Sequence, residues 1–305
     1  MVENKQSSRL LLGFIISLTG AILFSTKAIF VKMAFISTGI DAISLLSLRM
    51  LVALPFYIFA AWFSQRGSTQ KPLTLKYWIW IIIMGILGYY LSSLFDFIGL
   101  QYVSAGLERL ILFLYPTFAV LINTYLFKTK LSGTQLIALI ITYLGIGIAY
   151  FSEIQTAHIG AKFYFGCLMI FLCAVTYSFY LVGTGKLVEK AGATRYTAYA
   201  MLAATVGVFA HFGIMHHHNT IHLTQKLLTY SLALGIIATV LPSFLLSSGM
   251  KKIGINNVSI ITSIGPVSTI IQAHYFLGEK ILPMQIVGTC LVIIGVLLIG
   301  WKNGK

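Results

Sequence analysis

Apolar residues run almost unbroken through ten stretches of the chain, near 10–34, 42–63, 77–99, 104–127, 134–151, 163–183, 194–215, 227–249, 254–277 and 284–301, with short polar breaks between them. A bilayer's hydrocarbon core takes about 20 apolar residues per helix. The pattern therefore predicts an all-α integral membrane protein of ten transmembrane helices. The runs are continuous rather than alternating, which argues against a transmembrane β-barrel. Trp62, Trp78, Trp80 and Trp301 fall near span ends, where an indole ring is favoured at the membrane–water interface.

The pattern is written twice. At a spacing of 150 residues Gly85 matches Gly235, Ser93 matches Ser243, Gly99 matches Gly249, Pro116 matches Pro266, Tyr125 matches Tyr275, Lys130 matches Lys280, Gln135 matches Gln285 and Gly145 matches Gly295. The first spans correspond at 153: Gly13, Ala21 and Ser25 match Gly166, Ala174 and Ser178. The chain thus divides into a first repeat over 10–151 and a second over 163–301, joined by a short link at 152–162. Five spans per repeat is an odd number, so the expected arrangement is two inverted five-helix repeats, with a binding site between them.

Composition supports the membrane reading. Of 305 residues 58% are hydrophobic and 9% charged, against about 25% charged in a soluble domain; mean hydropathy is +0.91. The net charge of +14 is explained by distribution rather than by a nucleic-acid partner. With the N-terminus placed in the cytoplasm, fourteen of the Lys and Arg residues fall in inner segments, four in outer segments, and three (Lys27, Arg49, Arg109) inside spans. That bias predicts cytoplasmic N- and C-termini in a cytoplasmic membrane. Matched loops have exchanged charge: Gln101 and Tyr102 in an outer turn correspond to Lys251 and Lys252 in an inner one. The N-terminal run has no small-residue cleavage site and is read as the first span. Cys167, Cys173 and Cys290 sit in apolar runs without disulfide or metal spacing. His216, His217, His218 and His222, with His211 nearby, read as a solvated outer loop rather than a metal site. No metal or cofactor is expected.

The late part of each repeat carries a shared motif: Pro116 in segment 114–148 and Pro266 in segment 264–298, then about 11 residues to a polar turn, then Gln135 or Gln285 and a Gly-rich last helix. The second copy, with Gly278-Glu279-Lys280, Gln285, Gly288 and Gly295, resembles the EamA family of the drug/metabolite transporter superfamily, and the resemblance covers roughly 10–301. It implies ten helices, an inverted repeat, a central cavity and transport of small metabolites, with export of amino acids a common activity. Lys128-Thr129-Lys130 replaces Gly-Glu-Lys in the first copy, so no role of that Glu is carried onto it. Glu279 itself sits at a turn, where helix capping or helix-end pairing is its expected job.

Five ionisable residues lie within spans: Lys27, Arg49, Asp96, Glu108 and Arg109. Each costs about 2.5–3.5 kcal/mol at a helix centre unless it pairs or lines water. Asp96 and Arg109 lie equally far from the turn near 100–104, at about 10 Å depth given 1.5 Å per residue. Both charges are missing together from the second half, at Leu246 and Ser259. They are expected to pair, as a packing lock or as a cavity or gating pair. Glu108 diverges from Arg109 by about 100° on the helix. It is expected to face Lys27 or Arg49, as a proton carrier or as a residue snorkelling outward. Lys27, beside Ser25, is read as a binder of a substrate carboxylate or phosphate, and Arg49 as a second cation in the cavity or a snorkelling one. Pro116 and Pro266 are expected as mid-helix kinks. Tyr115, Tyr177, Tyr180, Gln272 and His274 are the polar-tipped candidates for the cavity wall, with packing as the alternative for each.

These features predict a secondary transporter moving a small metabolite by alternating access between the repeats. The substrate is expected to be an amino acid or related carboxylate-bearing compound, and the direction export. Coupling is expected to a proton or to exchange, since no phosphate-binding glycine loop is present. A nucleotide-like metabolite such as S-adenosylmethionine, or a drug, is the alternative cargo. An integral membrane enzyme is disfavoured because no His/Asp or Ser/His/Asp constellation is visible; a channel is disfavoured for want of a charged ring or filter loop.

Overall fold

The computed structural model describes residues 2–65, 73–127, 133–154, 160–215, 222–253, 258, 261–262 and 264–302; within them the chain is helices joined by turns, with no strand. α1 (Val2–Thr38) and α2 (Ala42–Gln65) are continuous. The third run is α3 (Leu75–Gly85), a π-helical segment (Ile86–Leu91) and α4 (Ser92–Leu100). The fourth is α5 (Ala105–Leu112) and α6 (Tyr115–Phe127). Then come α7 (Gly133–Ile154), α8 (Ala161–Ala191) and α9 (Ala193–Met215). The eighth run is α10 (Gln225–Leu232), a second π-helical segment (Ala233–Val240) and α11 (Leu241–Ile253). α12 (Gly265–Leu277) and α13 (Pro283–Lys302) close the chain.

Seven of these runs are long and apolar enough to cross a membrane, and two further apolar helices, Leu136–Phe151 and Pro283–Gly295, are shorter. The ninth predicted run survives as α12; most of its first ten residues lie outside those described. Local chemistry sets the boundaries. α1 ends at Gly39, in the left-handed region at φ 65°, with its N–H donating to Phe35 O at 3.0 Å. Two residues on, Asp41 Oδ1 accepts from Ser44 N at 3.0 Å, satisfying one of the first-turn donors that a helix cannot pair internally.

Two features differ from the expectation drawn from the sequence. Both long runs at matched positions, 86–91 and 233–240, wind as π-helix. A π segment inserts an extra residue without altering hydropathy, so a periodicity reading passes over it; such segments recur at functional sites. The prolines also need correcting. Pro116 is the second residue of α6, after a break at Phe113–Leu114, and Pro266 lies in the first turn of α12. There the missing N–H has no intrahelical acceptor to lose, so these are helix starts rather than mid-helix kinks. Among the described residues the prolines inside a continuous helical run are Pro242, just after the second π-helical segment, and Pro55 of α2, which deprives the Leu51 carbonyl of its usual donor.

Helix packing repeats when the halves are exchanged. α1 lies against α11 and α12, as α8 lies against α4 and α6; α2 meets α9, and α7 meets α13. Glycines mark the close approaches. A Cβ on Gly13 would meet Ile253 and Lys252, and one on the matched Gly166 would meet Val103 and Tyr102, their counterparts at 150. Gly145 faces the Gly288 carbonyl, while its match Gly295 faces the Ala138 carbonyl, the counterpart of Gly288. Between apolar helices in lipid there is little hydrophobic drive, so association depends on such close van der Waals contact.

This makes a stability prediction. Gly145→Ala, whose Cβ would lie 2.6 Å from Gly288 O, is expected to lower thermal stability in detergent by about 1–3 kcal/mol through overpacking. Gly147→Ala, with open space around its Cβ, is expected to be neutral or stabilising, since Ala outranks Gly in helices by about 1 kcal/mol. Equal melting shifts for the two would contradict the packing.

Candidate functional site

The five in-span charges converge. Asp96 comes from α4, Glu108 and Arg109 from α5, Lys27 from mid-α1 and Arg49 from the start of α2, and none is more than 9% exposed. Lys27 Nζ lies 2.6 Å from Asp96 Oδ2. The expected Asp96–Arg109 pair does not form. The depth argument places the two residues level, but depth says nothing about azimuth, and Asp96 turns toward α1. Among the described residues neither Arg49 nor Arg109 has a carboxylate within ion-pairing distance.

Arg109 is held instead by apolar surface. Its guanidinium lies 5.4 Å from the Phe24 ring centre and 5.6 Å from that of Phe113. A Cβ added at Gly265 would sit 2.7 Å from its terminal nitrogen. Lys27 Nζ shares Phe24, at 5.6 Å. Each such cation–ring contact supplies about 0.5–2 kcal/mol, more where water is excluded. Glu108 is fully buried, so it does not snorkel; its carboxyl lies alongside that of Asp96, within electrostatic reach of Lys27 and Arg109. Arg49 is also interior, at 3% exposure. Its terminal nitrogen donates to Ser93 Oγ at 3.3 Å and its guanidinium lies 5.3 Å from the Phe97 ring centre.

A row of tyrosines runs within electrostatic reach of Arg49 and Arg109. Tyr115 meets Tyr177 edge-on at 5.1 Å, Tyr177 stacks on Tyr180 at 5.5 Å, and Tyr180 meets Tyr89 at 4.9 Å. The Tyr89 and Tyr180 hydroxyls are 2.8 Å apart. Tyr180 takes the place that Lys27 has in the first repeat, so a phenol stands in one half where an ammonium stands in the other.

The two halves are tied at the prolines by matched serines. Ser178 Oγ donates to Tyr115 O at 2.8 Å, and Ser25 Oγ is 3.4 Å from Gly265 O. In each case a serine of a repeat's first helix reaches the carbonyl just before the proline of the other repeat. Ser25 also has Ala21 O at 2.9 Å, and Ser178 has Ala174 O at 2.6 Å. Each single hydroxyl proton is therefore shared between its own helix and the opposite half.

Other predicted residues lie apart from this cluster. Gln272 Nε2 donates to Ser268 Oγ of its own helix at 2.8 Å. His274 is exposed, with Nδ1 2.9 Å from Glu279 O. Glu279 caps α5 across the repeats: Oε1 accepts from Ala105 N at 2.9 Å and Oε2 from Gly106 N at 3.3 Å. His211 Nδ1 lies 2.9 Å from Tyr90 Oη, and His222 is exposed. His216, His217, His218 and the Lys128-Thr129-Lys130 turn lie outside the described residues. Among the described residues no group of three or more His, Cys, Asp or Glu side chains is placed to hold a metal ion. Sequence reasoning passed over Phe24, Phe97, Tyr57, Tyr89 and Ser93. Only Ser93 carried a signal, its match with Ser243.

Comparison with known proteins identifies the family and the fold. The model of the EamA-like transporter family matches residues 11–151 and 164–301. The uncharacterized transporter YcbK of Bacillus subtilis is 32% identical over 287 residues, 90% of this chain and 88% of that protein. The uncharacterized transporter YyaM of the same organism is 25% identical, covering 71% of each chain. An uncharacterized transporter of Archaeoglobus fulgidus is 22% identical, covering 93% of this chain and 94% of that one. A solved crystal structure covering 96% of both chains shares the fold, at a TM-score of 0.66 and 18% identity.

The ion pair yields a double-mutant test. Lys27→Met or Asp96→Asn alone, leaving one charge or its remnant buried, is expected to cost about 3–5 kcal/mol, and the double variant much less than their sum. The same cycle with Arg109→Met in place of Lys27→Met is expected to show far weaker coupling. Thermal unfolding in detergent reads both; strong coupling to Arg109 would restore the pairing predicted from depth.

Proposed function

The chain belongs to the EamA-like transporter family, and on that premise we propose that this multi-pass integral membrane protein is a secondary carrier. It moves a small carboxylate-bearing metabolite, an amino acid or a related compound, by alternating access. The supporting observation is the buried cluster of three cations and two carboxylates with a tyrosine row near its arginines. If both carboxylates are ionised, the cluster keeps one positive charge in surplus, which an anionic group on the cargo neutralises. The tyrosines give a flat, amphipathic wall of the kind that holds an apolar body while a few polar groups orient it. We read the chain as a carrier rather than an enzyme, working in a cytoplasmic membrane with both termini inside, and exporting.

The contact pattern that repeats on exchanging the halves supports two five-helix repeats lying in opposite senses, rocking about the site. The shared serine protons suit that motion. Each serine has an intrahelical carbonyl to return to when the opposite half moves away, so neither state leaves the hydroxyl unpaired, at a saving of about 1–3 kcal/mol. Glu108, beside Asp96 and deep in the core, is our candidate for the proton-coupling group.

Purified protein in liposomes is expected to catalyse saturable flux of a labelled amino acid or other small carboxylate, competed by unlabelled cargo; flux linear in concentration would reject the carrier reading. Glu108→Gln is expected to abolish acceleration by a proton gradient while leaving exchange of labelled for unlabelled cargo intact. An unchanged gradient response would remove Glu108 from the coupling role.

A further inference from the structure

The three buried cations are not equally committed. Lys27 has Asp96 at 2.6 Å. Arg109 is clasped between two rings, abuts Gly265 and has Glu108 within electrostatic reach. Arg49 has one neutral hydroxyl, one ring and Asp96 within electrostatic reach, but that carboxylate is already taken by Lys27, and the Arg49 Nε, like that of Arg109, has no hydrogen-bond partner. A guanidinium so buried needs a counter-charge to offset its lost hydration. Resting on the carrier reading above, we propose that Arg49 is the docking residue for the anionic group of the cargo, reached through a pocket between α2, α9 and α11.

The pocket is lined by Tyr57 and Ala60, Thr194 and Thr197, and Ser243 and Phe244. Tyr57 is the lining residue that links it to Arg49. Its hydroxyl is 3.1 Å from Ser243 Oγ, its ring stacks on Phe244 at 6.3 Å, and it lies within electrostatic reach of the guanidinium. Register explains the arrangement. Arg49, Ala53 and Tyr57 are spaced i, i+4, i+8 and share one face of α2. Ala53 between them is fully buried in the core, and helical side chains tilt toward the N-terminus, the direction that runs from Tyr57 to Arg49. Tyr89 is also within electrostatic reach of Arg49. The site thus offers a planar two-donor fork suited to a carboxylate, with two phenol hydroxyls beside it. The Tyr57–Ser243 hydrogen bond, which joins the first repeat to the second, is the bolt across the way in.

The test is site-resolved chemical modification of the full-length protein in liposomes. Phenylglyoxal, a neutral arginine reagent, is applied alone and with matched probes: benzoate and benzamide, L-phenylalanine and its amide, succinate and succinamide. Modification at each arginine is read by peptide mass spectrometry. Arg49 is expected to be modified at least fivefold more slowly with one or more of the acids, at an unchanged rate with the matching amide, and faster in Tyr57→Phe without probe. Arg109 is expected to be indifferent to the acids. Three results overturn the proposal: Arg49 unreactive in both wild type and Tyr57→Phe, equal protection by acids and amides, or protection at Arg109 instead. Labelling needs no turnover. Protected Arg49 without saturable flux therefore sinks the carrier reading alone, and saturable flux with unprotected Arg49 sinks the docking site alone.

Discussion

Five ionisable side chains buried inside apolar helices impose the main constraint on this molecule. Hydrocarbon offers no partner and the helix backbone is already bonded, so every such charge must be answered by another part of the protein. The Lys27–Asp96 contact meets that demand by fastening the middle of α1 to α4. It fixes which faces of these helices look inward. Once they are set, Glu108 is carried up beside Asp96, Phe24 is brought under both Lys27 and Arg109, and Arg49 is left against Ser93. The cluster is a network in which each group's environment is made of the others, so the loss of one member is felt at the rest.

The scaffold around the cluster obeys a different rule. Its helix contacts follow from backbone approach rather than charge, and they repeat in both halves: Gly13 with Gly166, Gly145 with Gly295, Ser25 with Ser178. The glycine contacts extend the correspondence to α2 and α9, where the sequence echo had not been followed. Gly235 approaches the Arg49 carbonyl, and its match Gly85 approaches the Ala200 carbonyl. Arg49 therefore stands where the second half has alanine. All five charges belong to one repeat of a frame whose packing is shared.

The helical runs and the repeat were legible because both are written in properties that a side chain carries wherever it lies: hydropathy, size and the need for glycine at a close approach. The partners of the buried charges were not. Counting residues about the turn sets Asp96 and Arg109 equally far from it, but rotation about each helix axis is set by neighbours distant in sequence. The sequence shows a lysine within the first span, but not that it turns to Asp96 nor that Arg109 settles between the rings of Phe24 and Phe113. The same limit applies to Pro116. Proline within a long apolar run signals an interrupted helix, and the run is interrupted, but whether the break falls before the proline or around it depends on Ser178 and the packing of α8. The π segments left no trace because an extra residue in a turn keeps the same apolar composition. His274 was misplaced for a related reason: it is polar and within the run, but Gly278 ends the helix nearby and the ring turns to Glu279 O at the protein's exposed edge.

Shared scaffold and one-sided chemistry have a consequence for how such a molecule works. A frame made of two equivalent packings tends to make its two extreme states equal in energy, which suits reversible movement. Charges confined to one half break that equality, since the first repeat's cations and carboxylates have only Tyr180, Ala200, Leu246, Val258 and Ser259 at the corresponding places. The state that brings the first repeat's charges to water differs in hydration from the state that buries them. In the proposed carrier, a cargo anion acts on that difference directly by supplying the missing counter-charge. On that proposal the free energy that decides which state the empty carrier occupies is concentrated in a few side chains near Lys27, Asp96 and Arg49, while the remaining helices provide a frame that either state can use.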